Sequence, residues 1–531
     1  MTAGTHTPVL IVGAGPVGAT LALELARHGV RSTVVERSTT VSAHPKMDFI
    51  NGRSMELLRR LGVAEEIRER GVSPDEPFNF LWTQDPAQPP VSVWEYPSVT
   101  GLRERYADRN DGTAPLEPYQ RLQGSLLEDV LRGRIRRHPL IDLREGQSFL
   151  SLTQDGDGVE AVLRDEADGH TYALHADWLA GCDGGGSSVR RATGIGTHHS
   201  GPSTRHCDVY FRSEDPALTR NGKFFLTIAA GGATLVNRDG VRTWTGTFVL
   251  PDGEPEPADP LAVVKERLGF DFEADEVMNI AYWYGRLAVA ERYREGRVFL
   301  AGDAAHQFYP TGGHGANTGI GDAVDLGWKL AAAVGGWAGP ALLDAYEAER
   351  RPVALFNREM CAHLLGVWIR FPSLAAAGAT RPQLAAYLDK ERYQIDNLGI
   401  HFGHRYGSSP VIRHEDGPEP DWRWQEIVPA TWPGTRPPSV RLADGRELFD
   451  LLGEGYTLVD LSGGLKGVPL AEKALHHGLP LTLLTVDDTA ARDRWERDLV
   501  LVRPDQHVAW RADEAPDAAE WDAILRHVTG S

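Results

Sequence analysis

The chain has 531 residues, 41% of them hydrophobic and 24% charged, so it is globular and too long for one hydrophobic core; two or three domains are expected. A formal net charge of −19 leaves no excess of basic side chains for nucleic acid or an anionic membrane surface. Cys182, Cys207 and Cys361 are too few and too scattered for a disulfide framework or a zinc site. No run is long and apolar enough to span a bilayer, and the amino terminus leads straight into a strand pattern, so the cytoplasm is the expected compartment.

Thr7 to Val12 is a short apolar run suited to a buried parallel strand. It is followed at once by Gly13-Ala-Gly15-Pro16-Val-Gly18 and then by Ala19 to His28 with helical periodicity. Gly13 permits a tight turn, Gly15 lets backbone approach a pyrophosphate, and Gly18 lets helix pack closely on strand, while the helix N-terminus offers free N–H groups to the phosphates. Val30 to Val35 reads as a second strand ending in Glu36 and Arg37, with Glu36 about twenty residues past the glycines, where a carboxylate takes an adenosine ribose hydroxyl. This dinucleotide fingerprint alone does not separate FAD from NAD.

Ser54 to Arg70 is helical, and the Pro- and Asp-rich stretch from Val72 to Asp111 reads as inserted loops and strands. A helix from Gly124 to Arg136 returns to the core. Ser148 to Ala180 is a β-meander with Asp155-Gly156, Asp157-Gly158 and Asp168-Gly169 at its reversals. Its last strand leads into Cys182-Asp183-Gly184 and a turn toward another helix. Lys223 to Ala229, Ala233 to Val236 and Arg242 to Leu250 are expected strands of a separate, substrate-covering sheet. Arg297 to Ala301 is a buried strand pattern leading into Gly302-Asp303-Ala304-Ala305-His306 and then Pro310 to Gly319, a glycine-rich segment before the helical Asp322 to Val334. Its amides and the helix N-terminus make an anion site, which in a flavoenzyme receives the N1/C2=O edge of reduced isoalloxazine. Ala341 to Gly366 reads as a long helix, Gly407 to Pro438 as a linker rich in Pro and Trp, and Gly455 to Gly530 as short strands and helices.

The quoted Gly302–His306 and Pro310–Gly319 segments, with Leu326 to Ala331, Arg121-Leu122-Gln123 and Asp344 to Pro352, resemble the signature of the single-component, FAD-dependent aromatic hydroxylases, the group A flavoprotein monooxygenases. Pro45 to Glu56 and the Pro433–Pro438 and Asp444–Arg446 segments resemble the phenol hydroxylase branch. The resemblance covers nearly the whole chain. It implies an α/β fold: a Rossmann-like FAD-binding domain of glutathione-reductase type, with an inserted β-sheet substrate domain and a C-terminal thioredoxin-like domain. The corresponding boundaries are 1–186 (with inserted loops near 72–111) and 291–406 for the FAD-binding part, 187–290 for the substrate sheet, and 407–531 for the linker and C-terminal domain. Without a Cys-X-X-Cys the latter is not redox-active.

The implied activity is NAD(P)H-consuming hydroxylation of a phenolic or polycyclic aromatic substrate by O2 through a flavin C4a-hydroperoxide. With a single fingerprint occupied by FAD, NADPH or NADH is a transient co-substrate. The resemblance also implies a homo-oligomer. Baeyer–Villiger or epoxidising chemistry, and a flavin-dependent halogenase, stay open as alternatives; Trp422-Arg423-Trp424 superficially resembles a halogenase tryptophan pair.

Expected cofactor contacts are Gly13, Gly15, Pro16, Gly18, Glu36, Arg37, Arg53, Arg121, Gln123, Asp183, Asp303, Pro310, Gly313, Gly315, Ala316 and Asn317, and no metal ligand is expected. Asp303 is assigned to a ribityl hydroxyl and Asp183 to indirect support of pyrophosphate, while Arg121 and Gln123 are flavin contacts or helix surface. Pro310 shapes the pocket, and its carbonyl is a candidate acceptor of a substrate or peroxide proton. Asp48 is either the base that ionises a phenol or an exposed loop aspartate, since phenolate is the better nucleophile. His306 reads as packed rather than basic, and His314 stands where the family usually has glutamine. Phe225, Trp244 and Tyr284, with Tyr282, are candidate substrate contacts, although β-propensity alone places aromatics on strands.

Overall fold

The computed structural model describes residues 6–44, 46–463 and 466–531; Pro45 of the motif quoted above lies outside them. A parallel sheet runs in the order Val298–Leu300, Thr171–Gly181, His6–Val12, Ser32–Glu36, Ile141–Glu145. Leu10, Ile11 and Val34 are fully buried, as central strands covered on both faces require. The meander Gln147–Gln154 and Val159–Asp165 pairs antiparallel onto the start of Thr171–Gly181, whose second half enters the parallel sheet. Asp155 N–H donates to the Gly158 carbonyl (3.0 Å), closing a reversal at the predicted Asp-Gly pairs. The helices Pro16–Arg27 and His314–Val334 pack together on the sheet. Gly319 and Gly327 make the approach possible, because a Cβ on them would fall 2.6 Å from Val17 and Glu24 side-chain atoms respectively.

A second, seven-stranded sheet runs Glu276–Gly285, Thr204–Arg212, Thr243–Leu250, Ala233–Asn237, Leu226–Ala229, Phe80–Thr83, Ser92–Trp94. The strands expected in the 72–111 stretch are present, but two of them extend this sheet instead of the FAD-binding part, with Phe80–Thr83 parallel to Leu226–Ala229. The cause is burial of large aromatics. Trp82 and Trp94 are 0% and 1% exposed with ring centroids 4.8 Å apart, and Trp82 meets Phe371 edge-on at 5.3 Å. The same contacts carry the long helix, Pro340–Ala376, past Gly366 where the sequence suggested an end. One interior glycine costs about 1 kcal/mol, less than the burial of Val367 and Phe371 returns.

The C-terminal sheet runs Leu481–Thr485, Tyr456–Asp460, Leu499–Val502, Val508–Ala512; the first pair is parallel and the others antiparallel. The turn between its last two strands inserts Arg503 into the FAD-binding part. There the guanidinium donates to Glu349 (2.6 and 2.8 Å), Asp325 (3.0 Å) and Asp505 (2.7 Å), and Lys329 donates to Asp325 (2.7 Å) and Glu349. Burial disfavours ionisation of all three carboxyls. Arg503 and Lys329 outweigh it at Glu349, bringing it down to about 2, whereas Asp325, also facing Glu349 and Asp505, is raised. Three carboxylates this close resemble a metal cage, but the two cations fill it. No helix among the described residues is long and apolar enough to cross a membrane.

Candidate active site

The three glycine motifs, far apart in the chain, converge at the ends of the parallel strands. Gly13 has φ +104° and lies where a Cβ would be 2.5 Å from the Cys182 carbonyl, and a Cβ on Gly18 would be 2.0 Å from the Gly13 carbonyl. Gly302, at φ +63°, packs on Val17, and the Arg190 guanidinium donates to the Ala304 and Gly185 carbonyls (2.8 and 3.2 Å). Gly15 differs from these: a Cβ there meets nothing within 4 Å. The helices begun by Gly15 and Gly313 both lack a side-chain cap, so their first-turn N–H groups remain available to an anionic ligand.

Around this crevice the carboxylates divide. Glu36 accepts from Ala14 N–H and Ser38 N–H (both 2.9 Å), fixing the glycine loop, and Pro16 starts the helix while Arg37 is exposed. Asp183 accepts from Ser188 and Val189 N–H (2.6 and 3.1 Å); it caps the next helix and is spent on that local role. Asp303 has no hydrogen-bond partner among the described residues and opens onto the crevice, where crowding by protein raises its carboxyl above the ordinary value. Replacing Gly18 by alanine is expected to abolish FAD retention by driving the loop and helix apart; absorbance of the purified variant near 450 nm checks this.

Asn317 is not free for a ligand through its side chain. Its amide accepts from Asn51 N–H (2.9 Å) and donates to the Phe49 and Gly313 carbonyls (3.0 and 2.7 Å), stapling the glycine loop to Phe49–Ile50. That two-residue strand pairs with Gln120–Arg121. Gly315 and Ala316 are half-buried at the helix start, and the Pro310 carbonyl already accepts from Gly313 N–H (3.1 Å). His306 is packed, as expected, against Asp322 (2.8 Å).

Asp48 follows from this staple and is no exposed loop residue. Its Oδ2 is paired with Arg238, its Oδ1 is buried with no hydrogen-bond partner, and Arg238 is braced by Thr245 (2.9 Å). Arg121 lies beside this pair, its guanidinium 4.9 Å above the Phe225 ring and donating to the Asn237 carbonyl (2.6 Å). Gln123 accepts from Tyr210 (3.0 Å). Arg121 and Gln123 thus sit at the second sheet and not on helix surface. Arg53 is turned elsewhere: it donates to Glu56, Gln506 and the Asp505 carbonyl (3.0, 2.7 and 2.9 Å), so its charge holds the C-terminal domain.

Strand alternation sorts the aromatics. Trp244 is 1% exposed, donates to the Ser213 carbonyl (3.0 Å) and belongs to the core between the sheet and the Pro260–Leu268 helix; it is not a pocket residue. Tyr282 packs on that same face, and Tyr284 is 52% exposed on the outer edge strand beside Arg286. Phe225 alone of the four faces the polar cluster. The opposite face of Thr204–Arg212 presents His206, Asp208 and Tyr210, with Thr247 and Trp283 on neighbouring strands. Asp208 accepts from His44 (3.1 Å) and Thr247 (2.8 Å), and despite burial these bonds hold its carboxyl below the usual range. His206, stacked on Trp283 at 4.3 Å, is pushed down to about 4 by burial and is neutral. None of His206, Asp208 and Tyr210 was singled out from the sequence; their period-two alternation with the buried Cys207, Val209 and Phe211 is the signal that would have found them. Trp422 packs on Phe356, and Trp424 on His363 and Tyr393.

The uncapped crevice at the strand ends is of the kind that takes a dinucleotide cofactor, and the Asp48–Arg238 pair lies against the second sheet. The chain belongs to the FAD-dependent aromatic-ring hydroxylases: the family model described as FAD binding domain matches residues 6–357, and that described as aromatic-ring hydroxylase, C-terminal, matches residues 430–531. It is 34% identical to the FAD-dependent monooxygenase apdD of Emericella nidulans, over 98% of this chain and 90% of the relative. It is also 34% identical to aklavinone 12-hydroxylase RdmE of Streptomyces purpurascens, over 98% of each. Among solved structures, the rebeccamycin biosynthetic enzyme RebC with reduced flavin superposes with a TM-score of 0.87 at 33% identity over 99% of each chain.

Proposed function

We propose that this FAD-dependent enzyme hydroxylates a phenolic or polycyclic aromatic substrate at the expense of NADPH or NADH, in natural-product or aromatic metabolism. The observation that carries the reading is the Asp48–Arg238 pair, whose buried, unpartnered Asp48 Oδ1 stands next to the Phe49–Asn51 staple of the glycine loop. FAD fits the crevice: Gly15, where a Cβ would meet nothing, would admit its pyrophosphate on a turn that Gly13 and Gly18 make tight, Asp303 would take its ribityl chain, and the Gly315 and Ala316 amides its ring edge. Reduced by the nicotinamide, the bound flavin would supply the oxygen-activating chemistry.

The protein's part is to deliver an electron-rich ring. Arg238 holds Asp48 Oδ2, which leaves Oδ1 aimed to accept the proton of a substrate hydroxyl. Arg121 and Phe225 form a cationic and aromatic wall beside it. Covering by the second sheet excludes water from the reacting centre. The domain boundaries given above, with the strands of 72–111 moved to the substrate sheet, a thioredoxin-like fold for the C-terminal sheet, a glutathione-reductase-type FAD domain, homo-oligomers and a cytoplasmic location belong to the same reading. Its support is the strand orders and the family-wide similarity.

The test is a screen of the yellow protein with phenols and polycyclic aromatics, following nicotinamide oxidation and oxygen uptake. Oxidation that rises severalfold with one such compound, and one atom of labelled O2 appearing as a new hydroxyl, is the expected result. An inserted ester oxygen or a halogenated product would refute it.

A further inference from the structure

A small chamber of about 40 Å³ lies on the flank of the His314–Val334 helix turned away from the fingerprint helix. Gly319, on the opposite flank, packs on Val17 and Gly302, so the helix itself separates the chamber from the FAD crevice. Four histidines line it: His314 at the start of the helix, His401 and His404 before the linker, and His507 on the inserted C-terminal turn. His404 Nε2 meets Asn357 Oδ1 (3.2 Å), Asn357 donates to Thr318 Oγ1 (2.9 Å), and Thr318 donates to the His314 carbonyl (2.8 Å). Two polar atoms break the pattern. His401 Nε2 and His507 Nδ1 are buried with no hydrogen bond; the latter is 3.2 Å from Asp505 Oδ2 but not aligned with it.

Buried ring nitrogens are almost always satisfied, by protein or by water. A water needs roughly 10–15 Å³ of such space and two to four polar partners, so the chamber has room for about three or four. Burial depresses all four imidazoles, His314 to about 4, so each is neutral and offers one donor and one acceptor. His507 is fixed by stacking on Tyr406 at 4.2 Å, and Tyr406 accepts from Arg350 (3.1 Å), whose other terminal nitrogen donates to the Thr318 carbonyl (3.0 Å).

We propose that the chamber is a hydration site built into the fold, in which ordered waters join His401 and His507 to His314. Through it His507 of the C-terminal domain acts as a positioning residue for the first turn of the helix that offers its amides to FAD. The inference rests on the assignment of FAD to the crevice, but its first test does not.

A crystal structure of the wild-type protein, with or without FAD, at a resolution that orders internal solvent is expected to show water within hydrogen-bond distance of both His401 Nε2 and His507 Nδ1. A dry chamber, or one filled by a non-water ion, overturns the proposal whatever occupies the crevice. In solution, His507→Phe keeps the stack on Tyr406 and removes both ring nitrogens. It is expected to weaken FAD binding roughly three- to tenfold, the effect of one lost net hydrogen bond, and to shift the flavin absorption bands. His507→Asn is expected to restore both. Unchanged affinity and spectrum in folded His507→Phe overturns the positioning role; should that variant not fold, His401→Phe is read in the same way. Wild-type protein unable to take up FAD sinks the cofactor assignment instead, and the solvent structure of the chamber still decides the hydration site.

Discussion

Replacing Arg503 by methionine is expected to lower stability by about 3–5 kcal/mol, the cost of removing one partner from a buried ion cluster. The side chain is fully buried and donates to Asp325, Glu349 and Asp505, which have no water to turn to when it leaves. Lys329, which reaches only Asp325 and Glu349, would then be the one cation still hydrogen-bonded to these carboxylates. Methionine fills similar volume, so the effect reads lost charge compensation and not a cavity. Because the arginine comes from the C-terminal turn and two of its partners from the helices His314–Val334 and Pro340–Ala376, the variant should also release the C-terminal domain to protease. Urea unfolding at pH 7 with limited proteolysis measures both. Stability within about 0.5 kcal/mol of wild type would show that the cluster is held together by something other than Arg503.

Asp48→Asn is expected to keep FAD bound and slow hydroxylation by roughly 10²- to 10⁴-fold, the range for losing a placed base. Asparagine keeps the shape but neither accepts a substrate proton nor balances Arg238, which is 6% exposed. Nicotinamide oxidation should continue and become uncoupled from product. Single-turnover product yield, compared with the rate of flavin reduction, separates these steps. Equal product formation by variant and wild type would remove Asp48 from the chemistry, leaving the pair with Arg238 a purely structural contact.

Legibility differed between the two halves of the site for a physical reason. The fingerprint is local: strand, glycine turn, helix and acid follow one another within thirty residues, and each glycine answers a steric demand made by its near neighbours. Asp48 was found through the pattern around it, but its alternatives stayed balanced until Arg238, 190 residues away, was seen beside it. Arg238 itself carries no motif. Trp244 and Tyr284 illustrate the opposite error, since strand aromatics point to either face and only the register of Thr204–Arg212 with its neighbours tells which face is the pocket. Strands were expected within the 72–111 stretch, but the sheet they join was not legible, because the pairing partner lies beyond residue 220.

By itself, the sequence determined the chemistry of the cofactor site and the α/β character of the chain, because glycine spacing and apolar periodicity are short-range properties of the backbone. Tertiary structure alone decided which charges meet: Asp48 with Arg238, Arg53 with the C-terminal turn, and Arg503 with Glu349. Burial and ion pairing depend on what the fold brings from far along the chain, and a charged residue looks the same in sequence whether solvent or a counter-charge awaits it.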